Sequence, residues 1–393
     1  MRCHFGSSQS FASVSVRFKI GMALLKEFYE YLEMAVRADA LLIAKNARYE
    51  EELPEVFRLF CRRRMFIHFH SVLSPHEIYI AKQLREEVRI ATSAEAGSAD
   101  ELEVICRLMA FRAHCREEVY EVSKPFLRRG YWEHQDHDGE QLFALASGLG
   151  KALTDYRKVE KGPMLCTTHK NIPRKRDYGD DADLNLVDHV LTMMRKLVKL
   201  GKQLHPLLRD KSSFEAISEA ITKTDWLGPG WSRMLTGSLS HLLPDLCSAI
   251  KLEIDVGSGA VEPLCDLMKE CGEPLNAATG AKKRGRNKLL REGLARFVQL
   301  FKDGLSTAEG QSLLTTLARV RGELLSIENL PESTVNGIIE HGKLGAPTLE
   351  VQLCEFRQFR KFKACFEERK DKLRRQALAS HDETKKRQRT GCS

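Results

Sequence analysis

Between residues 22 and 46, apolar side chains return at Leu25, Phe28, Leu32, Ala35 and Leu42, the spacing of one face of an α-helix. One acid, Asp39, falls on that same face and interrupts it. Helix starts recur farther along the chain. Ser74-Pro75-His76-Glu77 joins a capping hydroxyl, a proline at the first helical position and a glutamate that reaches back to the cap. Ser98-Ala99-Asp100-Glu101 and Ser306-Thr307-Ala308-Glu309 repeat that box, each ahead of an apolar period. A strand-like alternation is confined to 251–256, and no fixed-period repeat occurs. The patterning predicts an all-α chain of many helices.

Breaks in the pattern suggest how the helices are grouped. A polar stretch with Gly and Pro at 161–183 reads as a linker or long loop, and a shorter basic break covers 276–287. At 393 residues the chain exceeds what one hydrophobic core usually holds. The expected organisation is a targeting or disordered segment at 1–21, an N-terminal helical subdomain at 22–160, a C-terminal one at 184–370 and a basic tail at 371–393. The first 26 residues lack any acid but carry Arg2, Arg17, Lys19 and Lys26 among many serines. That is the composition of an organelle transit peptide, and equally of a tail before an internal start at Met22.

Charge narrows the partners. Lys and Arg number 62 against 54 Asp and Glu, a modest excess that matters through its clustering. The clusters are Arg62-Arg63-Arg64, Arg174-Lys175-Arg176, Lys282 to Lys288 and Lys385 to Arg389. No run of about 18 uncharged apolar residues occurs, which excludes a helical membrane span. Eleven cysteines form no CxxC pair and mostly sit in apolar helical patterns, as free buried thiols do in a reducing compartment. The C-terminal clusters read as a bipartite nuclear import signal. The expected location is therefore the nucleus, with mitochondrion or plastid as the alternative.

Residues 213–243 carry the most specific local pattern. A helix with Phe214, Ile217 and Ile221 on one face leads into Gly228-Pro229-Gly230-Trp231, after which a second helix begins near Ser232. Two glycines let backbone amides approach a phosphate, and the following helix N-terminus adds donors and positive potential. Such contacts hold a DNA backbone without reading bases. The same glycines serve equally well to turn a plain αα-hairpin.

With Phe57-Arg58-Leu59-Phe60-Cys61-Arg62-Arg63-Arg64-Met65, Gly257-Ser258-Gly259-Ala260 and Leu353-Cys354-Glu355-Phe356 followed by Phe359, this hairpin forms a collinear series. The series resembles a helix-hairpin-helix family related to DNA glycosylases. The family comprises the α-glutamyl/putrescinyl thymine pyrophosphorylases and the helical domain of 5-hydroxymethyl-deoxyuridine DNA kinases, and the likeness spans about residues 28–370. It implies a multi-helix, glycosylase-like fold that grips duplex DNA and handles a modified thymine flipped from the stack. Arg62 replaces the family's asparagine and Phe66-Ile67 its acidic pair, departures at polar positions that a catalytic centre would use. Ser147-Gly148-Leu149-Gly150-Lys151 is not a nucleotide loop, because Leu145 and Ala152 stand where glycine and Ser/Thr are required. Kinase chemistry would need a separate chain.

The resemblance places Gly228, Gly230, Trp231, Ser232 and Arg233 at the phosphate, with Arg58, Arg62, Arg63, Lys282, Lys283, Arg284 and Arg286 extending the basic surface. Asp255 is the catalytic candidate, a carboxylate shortly after the hairpin that could stabilise a cationic sugar; it is also an ordinary turn aspartate. His68 and His70, and His134 with Asp136, His137 and Asp138, lack a metal-ligand spacing, so no metal and no cofactor are assigned. Phe356, Phe359, Phe362 and Phe366 have the spacing of a core face, while Arg357, Arg360, Lys361 and Lys363 between them stay available to phosphate. The alternative function is a noncatalytic scaffold that binds a protein partner through this C-terminal helix.

Overall fold

The computed structural model describes residues 23–62, 67–93, 95, 97–114, 120, 121, 147, 148, 151, 155, 185–224, 227, 229–247, 254–275 and 283–390. Among these residues run fourteen α-helices and no strand. The helices are α1 (Ala23–Leu42), α2 (Arg48–Glu52), α3 (Glu55–Cys61), α4 (Pro75–Gln83), α5 (Arg85–Ala91), α6 (Ser98–His114) and α7 (Asn185–Arg209). There follow α8 (Phe214–Lys223), α9 (Pro229–Leu242), α10 (Ser258–Glu270), α11 (Lys283–Gly304), α12 (Ala308–Leu325), α13 (Glu332–His341) and α14 (Ala346–Thr390). A 3-10 turn, Ser71–Leu73, precedes α4.

Local chemistry explains the starts. Ser74 caps α4 by accepting from the Glu77 amide, with Pro75 at the first position, as the sequence predicts. At α6 the box is displaced by one residue: Asp100 accepts from the Gly97 amide at 2.9 Å, and the Ser98 hydroxyl accepts instead from Arg209. At α12 the cap is Thr307, which accepts from the Gly310 amide at 3.2 Å, while Ser306 donates to the Asp303 carbonyl. The N-terminus of α1 has no acid of its own and is capped from a distance. Glu270, at the end of α10, accepts from the amides of Leu24 and Leu25 at 2.9 and 3.0 Å. Ile254–Val256, the described part of the expected strand, is an unpaired connection.

Two hydrophobic cores result. One gathers α4 to α9 around Leu108, Phe111, Leu204, Phe214, Trp231 and Leu235. The other gathers α1 to α3 and α10 to α14 around Phe28, Leu32, Phe57, Leu264, Phe297 and Phe356. The chain thus starts in the second core, crosses to the first after Leu73 and returns after Cys247. This differs from the expected division into 22–160 and 184–370: helices on both sides of 161–183, a segment outside the described residues, share the first core. The physical reason lies in α1. Its apolar face is covered only in part by its sequence neighbours, through Tyr31 against Phe57 of α3, and Phe28 packs against Phe297 and Phe301 of α11 and Phe356 of α14, with ring centroids 5.1–6.0 Å apart. Each such ring, fully buried, contributes roughly 1.5–3 kcal/mol.

Candidate functional site: the polar seam between the cores

Where the cores meet, buried polar groups stand beside apolar ones. The acid that interrupts the apolar face of α1, Asp39, is fully buried. Its Oδ1 accepts from His68 Nδ1 at 2.8 Å, and its Oδ2 accepts from both the amide and Nδ1 of His70 at 2.8 Å. Burial opposes the charge of Asp39, but the hydrogen bonds from the two histidines prevail and hold its carboxyl down at about 2. The network continues from His68, whose carbonyl accepts from Gln352 Nε2, to Tyr31, whose hydroxyl donates to Gln352 Oε1 at 3.2 Å.

Beside His70 stands His341, the last residue of α13, with ring centroids 6.3 Å apart. His341 Nδ1 lies 2.9 Å from Thr348 Oγ1, and that hydroxyl donates to the His341 carbonyl. Nε2 lies 3.1 Å from the Ser71 hydroxyl, so in the neutral ring one nitrogen donates and the other accepts. Burial, with the nearby His241 and His70 imidazoles, pushes His341 well below the usual histidine range. His241 belongs to α9 of the first core, and its ring centroid lies 5.4 Å from that of His341. A narrow cleft at this junction is lined by the apolar Val72, Ile80, Ala81 and Leu242, with Glu77, Ser238, His241, Ser333 and Thr334 among them.

Two further ties cross the boundary. Asp255, 1% exposed, accepts from the Ser218 hydroxyl of α8 through Oδ2 and from Arg291 Nη1 of α11 at 2.9 Å through Oδ1. Glu350 of α14, fully buried, accepts from Arg233 Nη1 of α9 at 2.9 Å and from the Gly257 amide at 2.8 Å. The Glu350 carboxylate holds the Arg233 guanidinium above its ordinary value. Glycine is required twice at this tie. A Cβ on Gly257 would sit 3.0 Å from Glu350 Oε1, and one on Gly259 would sit 2.3 Å from Cys354 Sγ.

These positions change the reading of the expected site residues. Trp231, 2% exposed, fills the first core, and Ser232 is fully buried with no partner for its hydroxyl among the described residues. Arg233 faces Glu350 rather than solvent. The side chains of Trp231 and Ser232 thus serve the packing of α9, and that of Arg233 meets α14 of the other core. Asp255 has both carboxylate oxygens engaged and acts here as a structural tie. Gly230 lies in the first turn of α9, whereas Gly228, Arg63 and Lys282 lie outside the described residues. Arg62 and Arg286 are exposed, Lys283 and Arg284 occupy the first turn of α11, and Arg58 is half-buried with Nη1 3.6 Å from Glu50. Phe356 and Phe359 are core residues, and Arg360 and Lys363 reach toward Glu27 of α1.

Three seam residues give no local sign in the sequence: Ser218, Arg291 and Glu350 sit in ordinary amphipathic helices. Asp39 does give one, as an acid on an apolar face. Among the described residues no group of three or more His, Cys, Asp or Glu is arranged to hold a metal, and no helix is long and apolar enough to cross a membrane. The histidine cluster at 134–138 lies outside them. Compared with family models, curated proteins and solved structures, the chain matches none.

Proposed function

We propose that this chain is a DNA-binding helical protein that holds the phosphate backbone of a duplex, akin to the helical domain of 5-hydroxymethyl-deoxyuridine DNA kinases and to the thymine pyrophosphorylases, and that it acts in the nucleus. The observation that carries the reading is the start of α11. Lys283, Arg284, Arg286 and Lys288 fall in its opening turns, no acid stands in the first turn, and Arg286 and Lys288 are exposed. Cations gathered at the positive end of a helix dipole repel that end and one another. A polyanion relieves this repulsion, and a helix N-terminus offers it backbone amides. Because Asp255 is committed to Ser218 and Arg291, the reading is of a protein that binds, with a modified thymine as a preferred feature of the duplex.

The test is duplex binding by the full chain across a salt series, with plain and 5-hydroxymethyluracil-containing DNA. Wild type should bind with a steep inverse dependence on salt. The variant Lys283→Ala/Arg284→Ala/Arg286→Ala/Lys288→Ala should lose affinity, and its log–log salt slope should shallow by roughly 0.9 per phosphate contact removed. Absence of binding at low salt, or an unchanged slope in the variant, rejects the reading. A second reading, a protein-binding scaffold, draws on α14, which continues to Thr390, with Phe359 its last buried side chain among those described. Partner binding that ignores both salt and DNA would favour it.

A further inference from the structure

We propose that the cluster of Asp39, His70, His341 and His241 is a proton-operated latch between the two cores, closed at neutral pH and released on mild acidification. The latch joins α9 of the first core to α13 of the second. Its central element is His341, whose ring stands between His70 and His241 at centroid distances of 6.3 and 5.4 Å. Both nitrogens of His341 are already used in the neutral form, Nδ1 toward Thr348 and Nε2 toward Ser71. A proton added at the accepting nitrogen turns it into a donor facing a hydroxyl that must then reverse. It also places a cation in a buried site beside two further imidazoles.

The groups around His341 do not offset that charge at close range. From α1 comes Asp39, whose two oxygens are already engaged by His68 and His70. From the loop before α4 come His68 and His70, and from α14 the uncharged Thr348 and Gln352. From α9 comes His241, which lines the narrow cleft together with Glu77 of α4. Glu77 is itself bonded to Arg112 of α6. Arg321 of α12 approaches the end of α13, where its Nη1 would lie 3.4 Å from a Cβ on Gly342, and adds another cation. Protonation is therefore favoured only when α9 and α13 separate and water reaches the rings. Burial and the two neighbouring imidazoles keep His341 well below its ordinary value in the closed state. Below about pH 6.5, the free histidine value, each proton taken up on opening multiplies the open-to-closed ratio about tenfold per pH unit.

Hydrogen exchange of the full chain between pH 7.5 and 5, corrected for the intrinsic rate at each pH, tests the latch. Amides of α13 and of the C-terminal half of α9 should lose protection about tenfold per pH unit below 6.5, while those of α1 and α12 keep theirs. In His341→Gln the loss should flatten. Should that variant fail to fold at neutral pH, His241→Gln at the half-exposed partner should give a shallower loss than wild type. The proposal is overturned if α9 and α13 protection does not change with pH, or if all helices lose protection together. An undiminished pH dependence in the variant that folds overturns it as well.

Discussion

Arg291 and Asp255, 36 residues apart and contributed by α11 and the segment before α10, meet at 2.9 Å with Asp255 almost completely enclosed. The same carboxylate takes the hydroxyl of Ser218 from the other core, so one acid ties three parts of the chain. A buried carboxylate with its oxygens occupied in this way stabilises the assembly more readily than it performs chemistry.

Asp255→Ala should accordingly lower the free energy of unfolding by about 1–3 kcal/mol, because the Ser218 hydroxyl loses its acceptor and half-buried Arg291 keeps only Glu215, at 3.6 Å. Denaturant titration of the two proteins measures this. A variant as stable as wild type would return Asp255 to the list of groups free to act on a ligand.

Asp39 sets an acid limb on stability. Its folded value, about 2, lies below the ordinary aspartate value of 3.8, so it contributes stability that is present above about pH 4 and is lost as the pH falls toward 2. The size follows from the difference and is about 2 kcal/mol. Unfolding of wild type and Asp39→Asn at pH 5 and pH 3 should show their difference shrinking at the lower pH. A difference that stays constant would mean that Asp39 is not the group that titrates.

Gly259 and Cys354 are in contact because one lacks a Cβ. Gly259→Ala should destabilise by about 1–3 kcal/mol through overpacking. Adding Cys354→Ala should recover most of that loss, since it removes the sulfur that the new methyl would strike. Thermal or chemical unfolding of the single and double variants reads the coupling; simple additivity would place the strain elsewhere.

Much of this protein can be read along its sequence, because local rules act over a few residues. The repeat of Leu25, Phe28, Leu32 and Ala35 is enough to specify α1, the Ser74 hydroxyl and Pro75 ring are enough to start α4, and Phe356 with Phe359 is enough to define the inner face of α14. The all-α class follows from many such signals agreeing. Even the polar flaw in α1 was visible, since Asp39 has no local partner that could account for it.

Tertiary structure alone decided which faces meet. Phe28 finds Phe297 and Phe356 roughly 270 and 330 residues away, a pairing set by shape and burial rather than by any spacing that a window could register. That pairing returns the C-terminal helices to the N-terminal ones and leaves α4 to α9 as a separate core. It also explains why the first turn of α9 turned inward: Arg233 looks like a phosphate ligand beside its glycines, and only the arrival of Glu350 from α14 makes it a buried ion pair. The helices are properties of the sequence, whereas the seam of Asp39, His341, Asp255 and Glu350 exists because buried charges must find partners, and those partners come from wherever the packing of the two cores delivers them.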